Sequence, residues 1–342
     1  MMDREVLRII TARGAGDATL RKITKHMDDY PGCTLTDICS DVNLMHSCIK
    51  ISQKAAQSIY ENEEHARMLE EQLYQNHVGM CWIGDDDFPE SLKSMESGSA
   101  PAVLFYRGNF ALLQKKSVGF TGSRKVSESG IRITDSAAGQ LAAEGITVVS
   151  GYAKGVDITA HRAALQSGGS TIFVIVEGIL KNRIKSEVKG LLDEENHLFL
   201  SQFSPNLPWS AANAMKRNGT IIGLSDAMLL IEAAMDGGTF HAGQETLKNG
   251  RPLFVVDYGK NKPAAEGNVF FLQHGGIPLR GDRNGNPVLK RVHAVLEEQD
   301  RKRRELPQGE AGKRKSEQQD SGEMESGGRY EQISLSFDGE EN

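Results

Sequence analysis

The chain has 342 residues, 39% of them hydrophobic and 25% charged, enough apolar material for a large buried core. With 40 Lys and Arg against 46 Asp and Glu, its formal charge is -6. A uniformly basic duplex-binding body is therefore excluded, and any nucleic-acid site has to be a local basic pocket. No apolar run approaches the roughly 18 residues of a membrane span, and no signal-peptide core opens the chain, so a cytoplasmic protein that touches no membrane is expected.

Residues 1–75 read as short helices forming a small domain. Leu35, Ile38 and Val42 recur at helical spacing, Ile49 to Tyr60 continues in that style, and Glu61 to Gln75 is a charged amphipathic helix. Cys33, Cys39, Cys48 and Cys81 form no CxxC pair, so reduced structural thiols are expected and no metal site.

The period changes after Val78. Gly79 to Gly84 and Ala102 to Tyr106 read as strands, separated by an acidic turn and Phe88-Pro89. Strands then alternate with helices. Ser117 to Thr121 precedes a helix over 127–144, Ile146 to Val149 precedes a helix over 157–166, and Thr171 to Val176 follows. His197 to Leu200, Ala227 to Ile231 and Pro252 to Val256 are later strands. Near-continuous apolar runs of this kind predict a doubly wound, mostly parallel, Rossmann-like α/β sheet over residues 76–298. From residue 299, Arg301-Lys-Arg-Arg304 leads into Gln, Glu, Ser and Gly, the composition of a disordered charged tail. A short alternating segment, Gln332 to Phe337, lies within it.

Two loops carry chemistry. Thr121-Gly122-Ser123-Arg124 lies where a strand ends and a helix begins, a place where outward backbone amides and the helix dipole favour phosphate. Arg124 adds a bidentate donor. The second loop, Ser150-Gly151-Tyr152-Ala153-Lys154-Gly155-Val156-Asp157, has the same position at the carboxyl edge of the sheet, where open α/β sheets bind ligands. Lys154 is its candidate phosphate ligand. Asp157 reads as a helix cap that His161 braces. No Ser/His/Asp set, paired carboxylates or metal cluster is evident, so no catalytic residue and no cofactor is expected.

These loops resemble the GSR and SGxAxGIDxxAH motifs of the DprA/Smf family. Lys216-Arg217-Asn218 before Ile221 to Ser225 is similar to its RNRIIAGLS segment, and Ile231-Glu232-Ala233 with Gly237-Gly238-Thr239 to its VEA…SGS stretch. Asp87-Phe88-Pro89, Leu104 to Asn109, Gly267-Asn268 and Gly275-Gly276 match at compatible spacings. The first 75 residues look like that family's small SAM- or HhH-like helical domain. The resemblance implies that single-stranded DNA is bound through its phosphates by Gly122, Ser123, Arg124, Lys154, Arg217 and Asn218. Ser150, Gly151, Gly155, Lys216, Gly238 and Thr239 would stand beside them. It also implies homo-oligomers, a RecA-type recombinase as partner, and a role in recombination and natural transformation.

Departures bear on that expectation. Gly219 stands where the family has the second arginine of RNR, and restoring it is expected to tighten binding. Gln202 replaces an acid, Leu180-Lys-Asn-Arg183 replaces a tyrosine-proline, and no winged-helix module follows. Two alternatives stay open: a relative dedicated to phage defence or to neutralising a toxin, and a nucleotide hydrolase. The stretch from Asp236 to Glu245 loosely resembles the PGGxGTxxE signature of phosphoribohydrolases, which motivates the second.

Overall fold

A computed structural model describes residues 3–95, 100–259 and 265–305. Five α-helices come first, α1 (Arg4–Ile10), α2 (Asp17–Asp29), α3 (Leu35–Ser40), α4 (Gln53–Glu61) and α5 (Glu63–Gln75), with a π-helical segment Leu44–Cys48 between α3 and α4. Thr34 and Asp37 close a reciprocal capping box on α3, and the Ser52 hydroxyl accepts the Ala55 amide to start α4. The helical spacing of Leu35, Ile38 and Val42 is interrupted at Asp41, whose backbone is extended; its carboxylate accepts the amides of Asn43 and Leu44. A side chain that offers the backbone an alternative partner divides the segment in two, and helical backbone resumes at Val42 and runs to Cys48.

The remaining elements are β1 (Gly79–Trp82), α6 (Glu90–Lys93), β2 (Val103–Gly108), β3 (Ser117–Thr121), α7 (Glu128–Ala143), β4 (Thr147–Ser150), α8 (Val156–Gln166), β5 (Thr171–Val174), α9 (Ser186–Lys189), β6 (His197–Ser201), α10 (Ala211–Leu224), β7 (Ala227–Leu230), α11 (Gly237–Lys248), β8 (Leu253–Val256), α12 (Glu266–Gln273), β9 (Ile277–Leu279) and α13 (Lys290–Glu305). They build one nine-stranded sheet in the order β1-β2-β6-β5-β4-β3-β7-β8-β9. From β6 to β9 all neighbours are parallel, while β2 runs antiparallel to both β6 and β1. The doubly wound, mostly parallel sheet expected from the apolar runs is present. Helix α13 continues to Glu305, past the point where a tail was expected; residues 306–342, including Gln332 to Phe337, lie outside the described residues.

Both faces are covered, which is why the strands lack polar alternation. One face buries Val118, Phe120 and Val148 against α7, α8 and α13. The other buries Val149, Ile172 and Leu230 against α6, α10 and α12. At the β1-β2-β6-β5 end, Phe105, Phe173 and Phe199 join the apolar residues of α1–α5 in a single cluster. Phe173 and Phe199 stack with centroids 4.5 Å apart, and each buried ring contributes about 1.5–3 kcal/mol. Two polar ties run from α2: Asp17 pairs with Lys216 at 2.7 Å, and Arg21 donates to the carbonyls of Ala100 and Pro101.

Among the described residues no helix is long and apolar enough to cross a membrane, and no group of three or more His, Cys, Asp or Glu is placed to hold a metal. All four cysteines are free thiols. Burial pushes the Cys39 thiol far up and holds that of Cys81 at about 12, so both are protonated at neutral pH.

Candidate functional site

The chain builds β3 and then β4 on one side of it, but returns later to lay β7 on the other. The gap between the connections leaving β3 and β7 is thus the switch point at which open α/β sheets take ligands. A cleft of about 410 Å³ opens there. Loop 121–124 and the start of α11 form its polar wall; Trp209, Ala211, Ala214 and Met215 form its apolar wall.

Arg217 defines the floor with Phe120 and Ile221. It is 5% exposed and lies on α10, which starts because the Ser210 hydroxyl accepts the Asn213 amide. A Cβ on Gly151 would come within 1.6 Å of Arg217 Nη1, so the guanidinium rests directly on the glycine backbone. Its Nε is buried without a hydrogen-bond partner, and no carboxylate lies within ion-pair distance among the described residues. Burial draws its pKa down, opposed by the charge of nearby Asp157 and reinforced by Arg124. Two guanidiniums thus face one cleft. Arg124 is at the rim, exposed and in no ion pair among the described residues.

The two glycine loops interlock. Gly155 has φ +84°, and a Cβ there would meet the Ser123 carbonyl oxygen at 2.4 Å. An alanine is strained on both counts. Gly155→Ala is expected to lower stability by about 2 kcal/mol, read from denaturant midpoints, and to shift loop 121–124 with it. The Ser123 amide donates to the Glu232 carbonyl at 2.9 Å, and its hydroxyl accepts the Lys125 amide at 3.0 Å, leaving the hydroxyl hydrogen to donate.

Three carboxylates also line the cleft. Glu232 is fully buried and accepts both the amide and the hydroxyl of Ser127, fixing the start of α7. Asp157 accepts the Ala153 amide at 3.1 Å; burial raises its pKa, against which Arg217 acts. It therefore closes the loop, whereas Gly155 holds the cap position expected for it. Asp236 is exposed and precedes α11 without capping it by side chain. The first amides of α11 are consequently open at Gly238 and Thr239, and the Asn218 amide reaches the Gly238 carbonyl at 3.5 Å.

The candidate residues divide clearly. Gly122, Ser123, Arg124, Arg217, Asn218, Gly238 and Thr239 line the cleft. Gly151 and Gly155 support it. Ser150 is wholly buried with its hydroxyl donated to the Phe120 carbonyl at 2.7 Å, so it stitches strands together. Lys216 points to Asp17 of α2. Lys154 is exposed outside the cleft, on the side of the β5–β6 connection that carries Lys181 and Arg183. That connection is pinned by Lys185, whose Nζ donates to the Tyr152 carbonyl and lies 4.2 Å from the Tyr152 ring centre. His161 is a core residue, its Nδ1 2.6 Å from the Thr171 hydroxyl and its ring against Phe173; burial takes its pKa well down. It does not brace Asp157.

Gly219 is buried in α10. It is not among the residues lining the cleft, so an arginine there is not placed to add a cation to it. Gly219→Arg should lose at least about 1–3 kcal/mol of stability, seen as a lower Tm, without gain in affinity. Glu245, the acid of the phosphoribohydrolase-like stretch, is two turns into α11, with its carboxylate 3.6 Å from His241 Nδ1 and outside the cleft lining. Trp209 was missed by sequence reasoning. It is 54% exposed in the loop before α10, where only its setting between Pro208 and Ser210 in a polar stretch marks it.

A profile of the DNA recombination-mediator protein A family matches residues 79–283, which takes in the sheet from β1 through β9 and every residue of the cleft. The chain belongs to that family. Among DprA relatives, the DNA processing protein DprA of Streptococcus pneumoniae is 34% identical over 195 residues, covering 56% of this chain and 68% of that protein. Protein Smf of Escherichia coli K12 is 30% identical over 211 residues, covering 58% of this chain but 56% of its own length. The X-ray structure of the pneumococcal DprA aligns with a TM-score of 0.69 at 25% identity, covering 82% of this chain and 95% of that one. A Helicobacter pylori DprA structure, described for its single-stranded DNA binding mode, aligns with a TM-score of 0.53 at 22% identity over 64% of this chain and 94% of that one.

Proposed function

We propose that this DprA-family chain binds single-stranded DNA in the cleft between β3 and β7 and serves recombination or DNA processing as a non-catalytic component, handing strands to a RecA-type recombinase. The observation that carries this reading is Arg217, a nearly buried guanidinium lining the cleft without a counter-ion in contact. A buried unpaired charge is costly, and an incoming phosphate offsets that cost with charge-assisted hydrogen bonds. The open amides of α11 and the rim cation Arg124 act on the same anion. Trp209 and Met215 give the opposite wall an apolar shelf on which an unpaired base can stack, worth about 1–3 kcal/mol per base. A duplex keeps its bases inside and cannot use that shelf.

Titration of a labelled single strand and the matching duplex tests this directly. Single-strand binding should be the tighter, with a log–log salt slope of roughly -2 to -3 for three or four cationic contacts. Arg124→Ala should weaken it about tenfold to a hundredfold while leaving Tm unchanged, since the side chain is exposed and unbridged. Lys154→Ala should flatten the slope by about 0.7. Absence of binding at low salt, or a flat salt response, overturns the reading.

A further inference from the structure

Resting on that reading, we propose that the floor of the cleft takes a terminal phosphomonoester, at a strand end or on a free nucleotide, while internal diesters of a bound strand lie outside it. The first argument is access. An internal phosphate must let its chain leave in two directions. The Arg217 guanidinium lies at the bottom of a cleft walled by loop 121–124, the start of α11 and the Trp209–Met215 face, and is 5% exposed. A terminal phosphate has one ester link and three free oxygens, so it can descend to that floor and leave its nucleotide between the walls. A volume of about 410 Å³ is at the scale of one small ligand, not of a continuous groove.

The second argument is charge. Two arginines and an uncapped helix start converge from three elements, whereas a diester brings one negative charge. The facing acids are Asp157, Asp236 and Glu232; burial pushes Asp157 toward its neutral form, Glu232 is turned to the Ser127 amide and hydroxyl, and Asp236 lies exposed in water that screens it. A monoester carries close to two charges at neutral pH and can accept from both guanidiniums and the α11 amides together. The basic residues of the β5–β6 side, Lys154, Lys181 and Arg183, are exposed and in no ion pair among the described residues, available to the diesters that follow.

The experiment compares oligonucleotides of roughly 15 nucleotides that end in a 5′-phosphate, a 5′-hydroxyl, a 5′-methyl phosphate or a 3′-phosphate, with thymidine monophosphates as competitors. One phosphorylated end should bind at least about tenfold more tightly than the hydroxyl end, and methyl capping should cancel most of that gain. In Arg217→Met, which keeps the floor filled, the preference should vanish while the strand ending in a 5′-hydroxyl binds as before. A monophosphate that competes as well as the strand end identifies the free nucleotide as the source. If all four oligonucleotides bind equally and no monophosphate competes, the inference fails while the single-strand reading stands. If no oligonucleotide binds, that reading fails too, and only monophosphate binding lost in Arg217→Met would keep the floor assignment.

Discussion

Gly151→Ala is expected to weaken binding of an end-phosphorylated single strand by about tenfold to a hundredfold with little change in Tm. The new methyl group would fall 1.6 Å from Arg217 Nη1, a separation no two non-bonded atoms sustain. What yields is the far end of a flexible side chain, not backbone, so the fold absorbs the change cheaply. The guanidinium must leave its seat and move up into the cleft, where it occupies the space a phosphate would use. A double variant, Gly151→Ala with Arg217→Ala, separates the two consequences. It clears the obstruction but leaves the floor without a cation, so affinity should stay low. If Gly151→Ala alone binds normally, Arg217 does not meet the phosphate.

Asn268→Leu should have the largest effect on stability, on the order of 3–5 kcal/mol, with Tm lower by roughly 10 °C. Asn268 is 2% exposed and uses its whole amide on backbone. Its Oδ1 accepts the Ala233 amide at 2.9 Å; its Nδ2 donates to the carbonyls of Ile231 and Val256 at 2.7 and 2.9 Å. The carboxyl ends of β7 and β8 are thereby tied together where the chain leaves for α11. Leucine has similar volume but strands three buried backbone groups, each costing about 1–3 kcal/mol. Asn268→Asp should cost at least as much, since it keeps the acceptor but sets a buried carboxylate oxygen against two carbonyl oxygens. Because Ala233 opens the loop that delivers Gly238 and Thr239, single-strand affinity should drop in the protein that remains folded. A Tm change below about 2 °C would show that water or rearranged backbone replaces the clamp.

How far these features could be read from residues alone follows their physics. Strands β3 to β8 were legible because burial on both faces writes an unbroken apolar run, and the glycine loops because a tight turn before a helix restricts residue choice. Strand β9 was not: Ile277-Pro278-Leu279 is short, holds a proline and sits at the sheet edge, where no periodicity develops. The cleft was half legible. Loop 121–124 and Arg217 could be marked by type and position, but the sequence does not tell a hydroxyl that faces a ligand from one that, like Ser150, turns back to the neighbouring strand. Lys216 was drawn to the site by adjacency to Arg217, yet one residue along a helix turns the side chain about 100°, here toward α2. Trp209 escaped because a single aromatic in a loop carries no pattern.

The cluster shared by α1–α5 and the rings of Phe105, Phe173 and Phe199 makes the helical segment a poor candidate for a detachable cassette. Cutting the chain at residue 76 would strip the β1-β2-β6-β5 end of its cover and release Lys216 from Asp17, next door to Arg217. A shortened protein should self-associate through the bared aromatic face. Any lost affinity in it would then report a collapsed neighbour of the cleft, even if the discarded helices never touch a nucleotide.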